Sequence, residues 1–164
     1  MQFTNELIKM NPSRKRPKEG DIFVIQPKEN VYFYGKIIRT NLPSTNGAVR
    51  GWNLIYIYRQ SAKQITLPDF LNPKQLLIPP QIVNNQGWLK GYFQTIGNVP
   101  VTLKDIAQDY GFLDYITKKY VDEEGRFLSH KPLTFTNYGL GSYGVIGILV
   151  QKALVANPEL ADIN

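Results

Sequence analysis

Two runs rich in β-branched and aromatic residues constrain this chain more than any other feature. DIFVIQ (Asp21–Gln26) and VYFYGKIIRT (Val31–Thr40) are separated only by Pro27–Asn30. A gap that short, holding Pro and Asn, reads as a turn, so the runs predict two neighbouring strands. Gly35 interrupts the second run. A lone glycine inside a strand marks a bulge or a barrel corner. A third run, WNLIYIY (Trp52–Tyr58), follows the loop composition NLPSTNGAVRG. Residues 66–80 hold Pro68, Pro73, Pro79 and Pro80 and read as a connection.

The second half is punctuated more closely. Gln81–Val83 and Trp88–Ile96 flank Asn84-Asn85-Gln86-Gly87, which reads as a hairpin. Thr102 is placed to cap a short helix that includes Asp105. Ile116–Val121 and Arg126–Ser129 flank Asp122–Gly125, a second hairpin, and Leu133–Thr136 is a short strand. Ser142 caps an apolar helix over Tyr143–Ala156, with Pro158 just beyond it. Its stripe of Val145, Ile146, Leu149, Val150 and Leu154 is the face that covers the sheet. The predicted class is α+β and mainly β. The architecture expected is a strongly bent antiparallel sheet, or an SH3-like partial barrel, covered by the C-terminal helix. Residues 1–13 read as an N-terminal extension, 14–157 as one domain, and 158–164 as a tail.

Composition bears on function by exclusion. The 164 residues include no cysteine and a single histidine. That excludes disulfide frameworks, thiolate nucleophiles, cysteine zinc sites and any centre built on two imidazoles. No catalytic, cofactor-binding or metal-ligating set is expected. His130, in the loop Ser129-His130-Lys131-Pro132, has no nucleophile signature near it and reads as a surface residue. Gly139-Leu140-Gly141-Ser142-Tyr143-Gly144 matches the dinucleotide spacing G-x-G-x-x-G, with Asp162 about twenty residues on. That fingerprint needs a second parallel strand ending in the acid, and the given sequence reaches only Asn164. The glycines are therefore expected to serve a sharp turn and close packing. The longest apolar stretch, Gly144–Val150, is far too short for a bilayer, and the N-terminal residues lack a secretory apolar run. The expectation is a cytoplasmic protein without membrane partners.

Charge is unevenly spread. Residues 1–90 carry 13 Lys/Arg against 5 Asp/Glu, and residues 91–164 carry 6 against 8. The densest basic cluster is Arg14, Lys15, Arg16 and Lys18. The acidic counterpart, Asp122-Glu123-Glu124, sits on a predicted hairpin tip. Tyr32, Phe33, Tyr34, Tyr56, Tyr58, Trp88, Tyr92 and Phe93 cluster on the predicted strands. Aromatics beside lysine and arginine on a sheet can stack bases, which makes a small β-barrel nucleic-acid binder the alternative reading.

Several phrases in order resemble one family. Arg16–Ile25 followed by Tyr32 and Gly35–Ile38 resembles the opening of the immunity protein 26 family. Leu77–Pro80 with Trp88–Phe93 resembles its middle, and Tyr120–Gly125 with Tyr138–Tyr143 its C-terminal signature. The resemblance runs from about residue 14 to 155. It implies a bacterial immunity protein, not an enzyme, that binds and blocks a cognate toxin of a polymorphic or contact-dependent system, with a nuclease among the toxin classes. The residues expected to meet the toxin are Tyr32, Tyr34, Trp88, Tyr92, Tyr138 and Tyr143 as anchors, with Asp122, Glu123 and Glu124 as steering charges.

Overall fold

The computed structural model describes residues 7–163; the first six residues of the expected extension and the last of the tail lie outside them. The strands are β1 (Asp21–Lys28), β2 (Val31–Arg39), β3 (Asn53–Ala62), β4 (Gln81–Val83), β5 (Gln94–Asn98), β6 (Tyr110–Asp114), β7 (Lys119–Val121) and β8 (Thr134–Asn137). Two α-helices, α1 (Gln86–Lys90) and α2 (Tyr143–Ala156), and two 3-10 turns complete the elements among the described residues. The architecture is α+β and mainly β, as expected.

β1, β2 and β3 form the centre of a five-stranded antiparallel sheet ordered β4-β3-β2-β1-β5. β4 and β5 remain separate edges, so the sheet is open and not closed into a barrel. Both faces are buried, which explains why the central strands read as continuous apolar runs. Phe23, Ile25, Phe33, Ile37, Ile55 and Ile57 point to one face. Ile22, Val24, Tyr34, Ile38, Leu54, Tyr56 and Tyr58 point to the other. Gly35 sits at a register shift between β2 and β3, the predicted bulge. It also lies against the ring of Phe23, where a Cβ would collide with the aromatic carbons.

α2 spans the residues predicted for it, with Ser142 Oγ accepting the N–H of Val145 at 3.2 Å. Ile146, Val150 and Leu154, spaced by four, bury against the first face. Val145 turns outward and is 42% exposed. The opposite face is covered by a three-stranded sheet ordered β7-β6-β8, which inserts Phe112 and Val121. In it β6 runs antiparallel to β7 and parallel to β8. The molecule is therefore three layers: helix, large sheet, small sheet.

The hairpin expected around Asn84–Gly87 does not form. β4 pairs with β3 and β5 with β1, on opposite edges of the large sheet. The segment between them folds into α1, closed by Gly91 in the left-handed region at φ 84°. Burial decides the outcome: Trp88 is 2% exposed and packs edge-on to Phe23 and Phe93. Gly87 permits it, because a Cβ there would enter the Phe93 ring. The turn at Asp122–Gly125 does form, but its return arm makes only one bridge, Val121 to Phe127. The strand that carries the small sheet, β6, is not among the predicted strands. Residues 7–13 lie along the core: Leu7 is buried, and Ile8, Met10 and Ser13 donate backbone hydrogen bonds to Gln26, Gly91 and Trp88.

Candidate protein-binding surface

The strand aromatics sort sharply by burial. Phe33, Tyr34, Tyr56, Tyr58, Trp88 and Phe93 are all in the core, leaving only Tyr32 and Tyr92 of the eight partly exposed. A base-stacking platform on the large sheet is thereby lost. Two expected anchors go with it. Trp88 is 2% exposed and Tyr34 is 3% exposed, its hydroxyl donating to the Thr66 carbonyl at 2.7 Å. Both side chains belong to the core and hold the fold, Trp88 with one edge at the floor of a surface cleft.

Tyr92 and Tyr143 are brought together. Their rings stack at 4.6 Å between centroids, with planes 10° apart. Lys90 places its ammonium 5.5 Å from the Tyr143 ring. The pair joins the end of α1 to the start of α2. Gly91 beside it packs so closely on Asn11 and Pro12 that a Cβ would crowd the Pro12 nitrogen. Partly buried tyrosines held at the ends of two tied-down elements offer contact area at little entropic cost.

The acidic triplet is engaged within the chain instead of standing on a solvated tip. Asp122 accepts the N–H groups of Glu124 at 2.9 Å and Arg126 at 3.0 Å, and Arg126 Nε at 3.0 Å. Glu123 accepts the Tyr110 hydroxyl at 2.7 Å. Glu124 pairs with Arg39 at 3.3 Å and with Arg126. Tyr138, another expected anchor, shares a 2.7 Å hydrogen bond with Ser44 and donates to the Glu123 carbonyl at 3.1 Å. The Arg39–Glu124 pair ties the small sheet to β2 and the Ser44–Tyr138 bond ties it to the loop that follows β2, while the other contacts brace the turn itself. Burial pushes the Tyr110 hydroxyl well above its ordinary range, with the charge of Glu123 adding to it, and burial raises Tyr56 and Tyr58 as well.

One further ion pair lies beneath this network. Lys36, in the middle of β2, is 3% exposed and meets Asp105 at 3.3 Å. Asp105 sits in the 3-10 turn Leu103–Asp105, where its other oxygen accepts the Thr102 N–H at 2.7 Å. The predicted cap thus also supplies a counter-ion to a buried lysine, which a linear reading of the strand missed. The signal available was a lysine within an apolar strand, since buried cations need a partner.

The remaining motifs are structural. Gly141 donates its N–H to the Ile82 carbonyl at 2.7 Å and bridges to β4, so the glycine motif splices α2 onto the sheet edge. His130 meets Asp109 at 2.7 Å on the surface, with both side chains substantially exposed. Among the described residues no group of three or more His, Cys, Asp or Glu is arranged to hold a metal ion. No helix among them is long and apolar enough to cross a membrane.

Comparison with curated proteins and with solved structures yields no match. The family model described as Immunity protein 26 matches residues 18–120. That span covers the five-stranded sheet and reaches β7, leaving the Asp122–Glu124 turn and α2 outside it. The match takes in well over half of the chain, and on that ground the protein belongs to the Immunity protein 26 family.

Proposed function

We propose that this protein neutralises a cognate bacterial toxin domain by forming a stoichiometric complex with it in the cytoplasm, without catalysing a reaction. The observation that carries the reading is the family match over residues 18–120. The Tyr92–Tyr143 pair with Lys90 supports it as a preformed aromatic anchor of the kind that dominates protein interfaces. With Asp122, Glu123 and Glu124 engaged internally, the outward electrostatic character comes from the basic N-terminal half. Its partner surface is accordingly acidic, and a toxin of the nuclease class fits if the contacted face is an acidic one.

The test is co-expression with the toxin encoded by the neighbouring gene. Growth rescue and a co-purifying one-to-one complex are expected. Tyr92→Ala combined with Tyr143→Ala is expected to weaken the complex by about 2 kcal/mol, roughly thirtyfold in Kd. A toxin that kills as readily in the presence of this protein, with no complex isolated, ends the proposal.

A further inference from the structure

A cleft of about 1030 Å³ runs between residues 11–19 and β5, with Trp88 among its lining residues. Two of its lining residues hold a buried polar atom with no hydrogen-bond partner: the indole Nε1 of Trp88 and the side-chain oxygen of Gln94. Such atoms are costly to leave unpaired, because burial removes their water. One is a donor and the other an acceptor, and both lie closed to solvent beneath the cleft, where a small opening would pair them with an incoming group.

Its outer wall is basic. Lys15, Arg16 and Lys18 line it and are exposed, and none of them forms an ion pair among the described residues. Of the two carboxylates present, Asp21 is taken up by the Lys18 N–H at 2.9 Å and the Asn98 amide at 3.0 Å. Its inner wall is the outer edge of the large sheet. β5 is the last strand in the order, and its outer side has no backbone partner strand among the described residues. Gln94, Thr95, Gly97 and Asn98 all line the cleft. Side chains alternate between faces along a strand, so a cleft touching these positions follows its edge.

We propose that an extended acidic segment of the partner toxin enters this cleft and adds as a further strand to β5, its carboxylates facing Lys15, Arg16 and Lys18. This rests on the toxin-binding reading above and names the surface and the chemistry it recognises. Strand addition draws its affinity from backbone hydrogen bonds and its selectivity from side-chain pockets. The β5 register shift between Thr95 and Gly97 blunts the edge against indiscriminate pairing, including with a second copy of this chain. A segment that also satisfies the cations and the two orphaned groups gains what a neutral strand does not.

Hydrogen exchange on the full-length protein, alone and in its one-to-one complex with the toxin domain, tests this. Protection of the Thr95–Asn98 amides on binding is expected. Arg16→Glu with Lys18→Glu, both exposed and remote from the core, is expected to slow association about tenfold at low salt. Trp88→Phe keeps the ring and removes the donor, and is expected to speed dissociation by up to about tenfold. Should Trp88→Phe fail to fold, the charge reversal and the exchange measurement still decide. A complex of undiminished affinity in the charge-reversed variant, with β5 exchange unchanged, overturns the cleft assignment while leaving toxin binding intact. A wild-type protein that neither rescues nor binds overturns both. Displacement of the toxin from the cleft by a mixed-sequence oligonucleotide would assign the basic wall to nucleic acid and also overturn it.

Discussion

The five-stranded sheet and the three-stranded sheet are held by different forces. The larger buries aliphatic and aromatic side chains on both faces, and its central strands are closed to solvent. The smaller contributes Phe112 and Val121 to that core and rests the rings of Tyr110 and Tyr138 on it, but polar contacts between side chains supplement this packing. Tyr138 to Ser44 and Arg39 to Glu124 cross to β2 and the loop after it, while Tyr110 to Glu123 braces the small sheet's own turn. Apolar burial is non-directional and tolerates modest rearrangement, whereas a buried hydroxyl or carboxylate must find its one partner or pay its desolvation. The large sheet should therefore unfold only with the whole molecule, and the small sheet should be able to loosen first.

The largest effect that sharpens this contrast is expected from Phe23→Ala. The ring contacts Trp88 and Phe93 and covers Gly35, so its loss is expected to cost about 3–5 kcal/mol. Urea unfolding should show one cooperative transition at a much lower midpoint. A split transition would break the picture of a single apolar centre.

Next is Asp105→Ala, which strands the Lys36 ammonium inside the second core. Removing one partner of a buried pair costs about 3 kcal/mol or more. Replacing both, with Lys36→Met added, is expected to recover most of the loss in the same urea measurement. If the double variant is no better than the single one, the lysine is stabilised by something other than Asp105.

Tyr110→Phe should be smaller and local. It removes the hydroxyl that Glu123 accepts, at a cost of about 1–3 kcal/mol. Hydrogen exchange is expected to quicken across Tyr110–Val121 before β1–β3 change. Equal loss of protection in both sheets would erase the distinction drawn here.

The smallest effect near neutrality, growing only in alkali, comes from the buried phenols. Tyr56, Tyr58 and Tyr110 are raised above the ordinary value of 10.0 mainly by burial. The unfolded chain loses these protons first as pH rises. Their contribution is thus whole below about pH 10 and drains away above it as pH climbs toward the folded values. A melting temperature that falls from about pH 10 upward, with tyrosinate absorbance appearing together with unfolding, is the expected result. A flat profile to about pH 12 would show that these hydroxyls titrate alike in both states.

Legibility in the sequence followed the same division. β1, β2, β3 and α2 were readable because apolar runs, the turn at Asn30 and the Ser142 cap each act over a few residues. α1 was not, because Asn84–Gly87 is equally suited to a hairpin turn or to a helix start. Burial of Trp88 against Phe23 and Phe93 settled it. Of the proposed anchors, Tyr92 and Tyr143 are partly exposed and stacked, while Tyr34 and Trp88 are core; residue type alone does not distinguish them. The triplet Asp122–Glu124 reads as a solvated turn only while Tyr110, Arg39 and Arg126 remain unplaced.

By itself the sequence determined the secondary-structure alphabet of the central strands and the last helix, the basic bias of the N-terminal half, and the exclusion of cysteine chemistry. These depend on side-chain type and local spacing, which a linear reading contains. The tertiary structure alone decided that α2 and the small sheet cover opposite faces of one open sheet. It also decided that the acidic turn is spent inside the molecule, and that β5 is left as an edge beside a basic cleft. Those outcomes turn on which distant groups share a buried surface, and only the folded chain brings such groups within reach of each other.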